Sequence, residues 1–236
     1  YTVSGELFEV WRCSTCSGGF TQNVPDAATI GPYYAAESYV SHTDSSKGFI
    51  NSVYHKVRSY ALLTKKNLVT KLVGKNTGAL LDIGAGTGAF VNTMQSGGWL
   101  VTGLEPDATA AKQALLKYNI QLQTADTIYT LGSHQFDAIT MWHVLEHVHD
   151  LHGYFKRFGE LLQPTGILVI AVPNYTSTDA RIYGKNWAAL DTPRHLYHFS
   201  PASMELLANK HGFKLVTKKA MWFDAFYVAM LTEQHN

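Results

Sequence analysis

Leu80-Leu81-Asp82-Ile83-Gly84-Ala85-Gly86-Thr87-Gly88 decides how this chain folds. Leu80, Leu81 and Ile83 around Asp82 supply a buried strand. Gly84, Gly86 and Gly88 then make a turn with no side chains in the way, and Ala89-Phe90-Val91-Asn92-Thr93-Met94 continues with helical spacing. Strand, glycine turn and helix in that order open a nucleotide-binding βαβ unit. The turn lets a ligand lie against the main chain, and the helix start offers unpaired N–H groups. A lone G-x-G-x-G also occurs in ordinary loops, so the neighbouring sequence has to decide.

Outward from the turn, strands and helices alternate. Strands are predicted at 79–83, 99–105, 120–123, 136–142 and 167–172, with helices running to Ser96, from Pro106-Asp107 onward, and over 151–162. Residues 173–200 break the alternation with Pro, Asn, Tyr, Trp and His, and a loop of that length is usually functional. Ser200-Pro201 caps a further helix, and Phe213–Val216 starts a sixth strand. Ala220 to Leu231 is a strongly aromatic tail that reads as strand plus helix or as a segment awaiting a partner. The alternation predicts an α/β fold, a doubly wound and mostly parallel sheet with helices on both faces.

Upstream, residues 46–73 read as one or two helices, with Ile50, Val53, Val57, Ala61, Leu68 and Leu72 on one face and Gly74 as the stop. Residues 1–45 form an extension. Within it Cys13-Ser14-Thr15-Cys16 resembles one knuckle of a zinc ribbon. A structural zinc takes four ligands, and the chain holds no second cysteine pair, so free or oxidised thiols are expected of Cys13 and Cys16. Residues 31–45 can fold over a ligand as a lid, with Tyr34, Tyr39 and His42 as the side chains to do it; plain surface packing is the other reading. Starting at Tyr1 rather than Met, the chain reads as a piece of a longer gene product.

Composition narrows the classes. Over 236 residues the formal net charge is +1, which carries no global signature for nucleic acid or a membrane. Two cysteines do not make a disulfide scaffold, and no leader or spanning segment is evident, so a cytoplasmic location and no integral membrane contact are expected. Between Ser45 and Leu81 the charges are all basic: Lys47, Lys56, Arg58, Lys65, Lys66, Lys71 and Lys75. That reads as the solvated face of a helix, or as a surface for an anion.

Acids stand at the ends of three successive strands: Asp82, Glu105 and Asp126. A dinucleotide would bring its pyrophosphate to the glycine turn, where such acids are costly. A ligand with hydroxyls, an amine and a positive centre suits them, and S-adenosylmethionine has all three. Glu105 stands where an acid can bind ribose hydroxyls at the end of a second strand, and Asp126 can reach the adenine amino group.

With Gly103-Leu104-Glu105-Pro106 and Phe136-Asp137-Ala138-Ile139-Thr140-Met141-Trp142-His143-Val144-Leu145-Glu146-His147-Val148 added, the chain resembles the class I S-adenosylmethionine-dependent methyltransferases over residues 79–172. Its 136–148 block is similar to the branch containing ubiquinone-pathway O-methyltransferases, and Asp191 to Ser200 is similar to a loop of that branch. The resemblance implies a Rossmann-like methyltransferase fold of six to seven strands. It implies cofactor roles for Asp82, Gly84, Gly86, Glu105 and Asp126; Ala85, Gly88, Pro106, Trp142 and His143 beside them are expected to line the cofactor too, with Tyr39 and His42 reaching over from the lid. Some members of the branch hold a divalent metal with two acids and a histidine. The set here would be His143, Glu146 and His147, and no catalytic metal is expected.

The expected organisation is an extension at 1–45 and a methyltransferase domain at 46–236, with core 79–172 and substrate loop 173–200. The expected activity is methyl transfer from S-adenosylmethionine, released as S-adenosylhomocysteine, to O, N or C of a small molecule, and no nucleic-acid partner. His143 at the end of a strand is the first candidate base; His195 and His198 on the long loop come next. Two rivals stay open. Gly84, Gly86 and Ala89 also fit the G-x-G-x-x-A of nicotinamide-dependent oxidoreductases. Cys13, Cys16 and the basic stretch fit an inactive binding module on a methyltransferase-like scaffold.

Overall fold

A computed structural model describes residues 5–35 and 49–235, with side chains omitted at 35, 49–56 and 235. The expectations for Tyr39 and His42 lie outside the described residues. The chain divides into two units, one of residues 44–144 and 152–171, the other of 1–43, 145–151 and 172–236.

The first unit is a parallel sheet with helices. Its strands are β3 (Ala79–Ile83), β4 (Leu100–Leu104), β5 (Phe136–Trp142) and β6 (Leu162–Ala171), in the order β4-β3-β5-β6. Its helices are α2 (Phe49–Val73), α3 (Ala89–Gln95), α4 (Ala108–Tyr118) and α5 (Leu151–Leu161). The central strands are covered on both faces, so they read as nearly continuous apolar runs. Four residues of β3 and six of β5 are buried. Val69, Leu80, Phe90, Met94, Trp99, Ala138 and Val169 form the core between sheet and helices. Each large apolar side chain so buried contributes about 1.5–3 kcal/mol.

From β3 the chain crosses to β4 on one side and later returns to β5 on the other. That reversal opens a crevice beyond the carboxyl end of β3, where the glycine turn begins.

The boundaries of β5, α3 and α4 follow the sequence closely. Other expectations fail. Residues 120–123 make only a single bridge, Gln123 to Leu104, and not a strand. Residues 213–216 form no strand, and the aromatic tail is helix α8 (Trp222–His235). The sheet therefore has four strands among the described residues, not six or seven. Short apolar runs satisfy strand and helix equally well until a neighbour offers hydrogen bonds. On α2 the face turned to the core carries Leu62, Val69, Leu72 and Val73, while Val57 is 40% exposed. The basic stretch is not simply solvated either. Lys75 pairs with Asp137 at 2.6 Å, and Asp137 also accepts from Ala79 N–H at 2.9 Å. Burial raises the Asp137 carboxyl, but these partners outweigh it and hold its pKa below the usual value.

The second unit is built around a three-stranded antiparallel sheet, β1 (Val10–Arg12), β2 (Gly19–Thr21) and β7 (Tyr197–His198). Helices α1 (Pro32–Ala35), α6 (Thr178–Tyr183), α7 (Pro201–Lys210) and α8 complete it. Ser200 and Ser203 form a reciprocal capping box at the start of α7, with Pro201 at its first turn. Tyr183 donates to Glu233 at 2.7 Å and Ala188 N–H to Thr232 at 3.0 Å, which fastens the long loop to α8. Residues 173–200 are thus ordered by short helical turns and by β7. Among the described residues no helix is long and apolar enough to cross a membrane.

Candidate functional site

The glycine turn is tied to the end of β4. Leu104 O accepts from Gly84 N–H at 2.8 Å and from Ala85 N–H at 2.9 Å. Gly84 takes φ 72°, and a Cβ there would come within 2.3 Å of Val144 Cγ2. Gly86 takes φ 55°, but a Cβ there would meet nothing within 4 Å. The first glycine is needed for packing; above the second there is open space. Gly88 is the N-cap of α3.

Glu105, just past β4, points its carboxylate at this turn. Oε2 accepts from Gly86 N–H at 2.6 Å and Oε1 from Asp107 N–H at 2.9 Å. Burial raises its pKa above the usual value, against those two N–H donors. Pro106 precedes Asp107, whose side chain caps α4 through Thr109 N–H. Gln123 pairs on both sides of Leu104, accepting from Glu105 N–H at 2.8 Å. Its continuation carries Asp126, exposed on a short helical turn three residues further on. Glu105 and Asp126 thus belong to neighbouring chain segments.

Asp82 is 1% exposed and accepts from Thr140 Oγ1 at 2.7 Å. Burial pushes its carboxyl up to about 7, against the Thr140 bond and the Lys65 charge. A carboxyl raised in this way contributes most to stability below the unfolded value near pH 4. That contribution fades as pH climbs through about 7. Asp82→Asn should therefore gain stability relative to the parent between pH 5 and 8, by on the order of 3 kcal/mol. Urea unfolding at both pH values checks this; an unchanged difference would remove the assignment.

At the end of β5, Trp142 packs edge-on against Phe90, with Lys65 Nζ 4.8 Å from its ring centroid. His143 follows in the left-handed region at φ 59°, its N–H donating to Ala171 O at 2.9 Å. A non-glycine residue in that region costs about 1–2 kcal/mol and is common where function needs a side chain aimed a certain way. Two residues missed from the sequence also come to this end of the sheet. Arg58 of α2 donates to Thr87 of the glycine turn at 3.5 Å, and Lys65 is the cation over Trp142. Their seven-residue spacing within the acid-free stretch was the available signal.

His195 and His198 belong to the second unit. His195 is 8% exposed, and its Nδ1 donates to Ala189 O at 2.9 Å. His198 is 3% exposed, bonded to Thr21 Oγ1 at 3.0 Å, and burial lowers its pKa to about 4 although the Glu146 charge opposes this. Tyr34 of the expected lid bonds His147 Nδ1 at 3.0 Å, which also donates to Arg194 O at 2.9 Å.

The metal set named from the sequence does not form. Among the described residues the one group of three donors is Glu146, His147 and His195, with ligand atoms within 4.8 Å of one another. His143 is not in it. Both imidazole Nδ1 atoms of that group donate to carbonyls, and His195 Nε2 lies 3.8 Å from Asp191 Oδ2. Cys13 and Cys16 lie at the β1–β2 turn, unbridged.

Comparison with known proteins identifies the family and the fold. The ubiquinone biosynthesis O-methyltransferase of Azorhizobium caulinodans is 26% identical over 158 residues, covering 61% of this chain and 62% of that relative. The chain thus matches about three fifths of that relative's length. The structure of an S-adenosylmethionine-dependent methyltransferase from Thermotoga maritima, described as a possible histamine N-methyltransferase, is similar at TM-score 0.54 and 24% identity, over 71% of this chain and 79% of that one. A Burkholderia thailandensis 1,6-didemethyltoxoflavin-N1-methyltransferase, solved with bound 1,6-didemethyltoxoflavin and S-adenosylhomocysteine, is similar at TM-score 0.54 and 19% identity, over 89% of this chain and 91% of that one. The fold is the Rossmann-like fold of S-adenosylmethionine-dependent methyltransferases. Residues 54–218, which include the glycine turn and the whole parallel sheet, match the family model for a methyltransferase domain, and the chain belongs to that family.

Proposed function

We propose that the protein transfers the methyl group of S-adenosylmethionine to an oxygen of a small, ring-bearing acceptor. The observation that carries this reading is the Glu105 carboxylate bonded to Gly86 N–H beside open space at the same glycine. A ligand lying there meets backbone and a carboxylate. Ribose hydroxyls donate to such a group; a pyrophosphate would be repelled by it. Asp126 is assigned the adenine amino group. Arg58, at Thr87, is assigned the carboxylate of the methionine part, a charge-assisted contact. Asp82 acts through Thr140 and the turn, as a positioning residue.

Oxygen as the acceptor atom is supported by the ubiquinone biosynthesis relative. A ring is supported by the aromatic residues of 173–200. In the transfer, an acceptor lone pair forms the bond to the methyl carbon as the carbon–sulfur bond breaks. The electron pair goes to sulfur, and S-adenosylhomocysteine leaves. The protein's work is mostly orientation. The acceptor's proton goes to His143, half-buried at the end of β5. His195 and His198 are more deeply buried and held by Ala189 O and Thr21.

Calorimetry with S-adenosylhomocysteine and with NAD+ tests the reading. Binding of the first alone is expected; binding of the second alone would overturn it. In a methyl-transfer assay, His143→Gln should lower kcat by roughly 100-fold with cofactor affinity unchanged. An unchanged kcat would take the base role from His143.

A further inference from the structure

Helix α8 carries its large apolar side chains outward. Its inner side is fastened: Thr232 is buried and accepts from Ala188 N–H at 3.0 Å, and its hydroxyl donates to Val228 O at 2.8 Å. With 3.6 residues per turn, Trp222, Phe226 and Met230 line the other side, four residues apart. All three are exposed, Trp222 at 78% and Phe226 at 69%. Phe223 and Tyr227 widen the same face. The two acids of the helix do not interrupt it. Asp224 lies on the side of Val228, and Glu233 accepts from Tyr183 at the far end.

The chain that leads into α8 is basic. Phe213 N–H donates to Ala208 O at 2.9 Å and closes the end of α7; from there to Trp222 the chain forms neither helix nor strand. Residues 214–220 are all exposed, the apolar Leu215 and Val216 among them. Between Glu205 and Asp224 the chain holds no acid and four lysines: Lys210, Lys214, Lys218 and Lys219. Lys219 stands three residues before Trp222. At about 3.6 Å per residue it is within roughly 11 Å of the aromatic face, close to the Debye length of about 8–10 Å at physiological salt. Cation and aromatic can therefore act on one surface together.

We propose that the outer face of α8, with the lysines before it, is a docking surface for a membrane of anionic lipid. Trp, Tyr and Phe settle where hydrocarbon meets headgroups, and lysine stems reach from there to the phosphates. At 14 residues α8 is too short to span a bilayer, which takes about 20, so it lies along the surface. An apolar patch alone would fit a protein partner as well; the acid-free lysine run is what selects a negatively charged surface. A second copy of the chain suits the face poorly, because a two-fold contact through it would set four lysines beside four more. The attachment is independent of methyl transfer and stands whatever the acceptor is.

The test is co-sedimentation of the full-length protein with lipid vesicles. Vesicles of equal parts phosphatidylcholine and phosphatidylglycerol should bind it roughly tenfold or more tightly than phosphatidylcholine alone. Lys218→Glu with Lys219→Glu should lower binding to the mixed vesicles by roughly tenfold or more and leave phosphatidylcholine as it was. Trp222→Ser with Phe226→Ser should lower binding to the mixed vesicles by a similar factor. All four side chains are exposed, so the thermal midpoint should stay near the parental one. Should a double variant fail to fold, Trp222→Phe decides: the blue-shifted emission that the parent gains on mixed vesicles must be missing from it. Equal binding to both vesicles, binding to neither, or double variants that bind like the parent overturn the proposal. So does a dimer that Trp222→Ser with Phe226→Ser dissociates, which gives the face to a second copy. A Trp222 already shielded from iodide before lipid is added overturns it too, and gives the face to another part of the chain.

Discussion

Glu105→Ala should weaken S-adenosylhomocysteine binding by roughly 10- to 100-fold while leaving the fold intact. The carboxylate already accepts from Gly86 N–H at 2.6 Å and Asp107 N–H at 2.9 Å, which holds the turn and the start of α4 in place. In the complex it would also accept from ribose hydroxyls. Hydrogen bonds to a charged group are worth about 1.5–3 kcal/mol each, and about 1.4 kcal/mol is a factor of ten in affinity. Alanine removes the acceptor and leaves both N–H groups to water, so the turn is held less firmly within an otherwise unchanged fold. Burial already raises the Glu105 pKa, so a neutral form is accessible and the loss should deepen as pH rises and the parent ionises fully. Calorimetry at two pH values reads this directly. An affinity within twofold of the parent would take Glu105 out of the site.

Gly84→Ala should destabilise the protein by about 2–5 kcal/mol. One part is the left-handed backbone at φ 72°, which costs a residue with a Cβ about 1–2 kcal/mol. The other is the clash. The new methyl would lie 2.3 Å from Val144 Cγ2, 3.2 Å from Cγ1 and 3.3 Å from Cβ, so the whole isopropyl group must move. Overpacking of that kind costs about 1–3 kcal/mol. Thermal unfolding should show a midpoint lowered by roughly 5–15 °C. Gly86→Ala is the control. Its backbone is also left-handed, but its Cβ meets nothing, so it should lose only the smaller, conformational part. Equal losses in the two variants would mean that Val144 is not the cause.

Much of the sheet unit was legible because its signals are local. The apolar run of β5 is as long as the strand, and the glycine turn follows β3 as its spacing requires. The acids at 82 and 105 were visible at strand ends. Their difference was not: Asp82 is sealed beneath the turn with Thr140, whereas Glu105 faces it. Arg58 escaped notice because lysine and arginine on a long helix usually point to water. Only the packing of α2 brings it to Thr87.

The amino-acid sequence by itself determined the α/β alternation and the glycine turn, because strand and helix periods and glycine spacing act over a few residues, and the resemblance of its motifs over 79–172 pointed to the family. It also marked His143, Glu105 and the Cys13–Cys16 pair by their position in those elements. Tertiary structure alone decided which groups meet across long stretches of chain. It joined Glu146 and His147 to His195 and left His143 out of that group. It buried His198 against Thr21, and it made a helix of the aromatic tail. The reason is physical: hydrogen-bond partners, burial and the pKa shifts they cause depend on surroundings that the linear order does not contain.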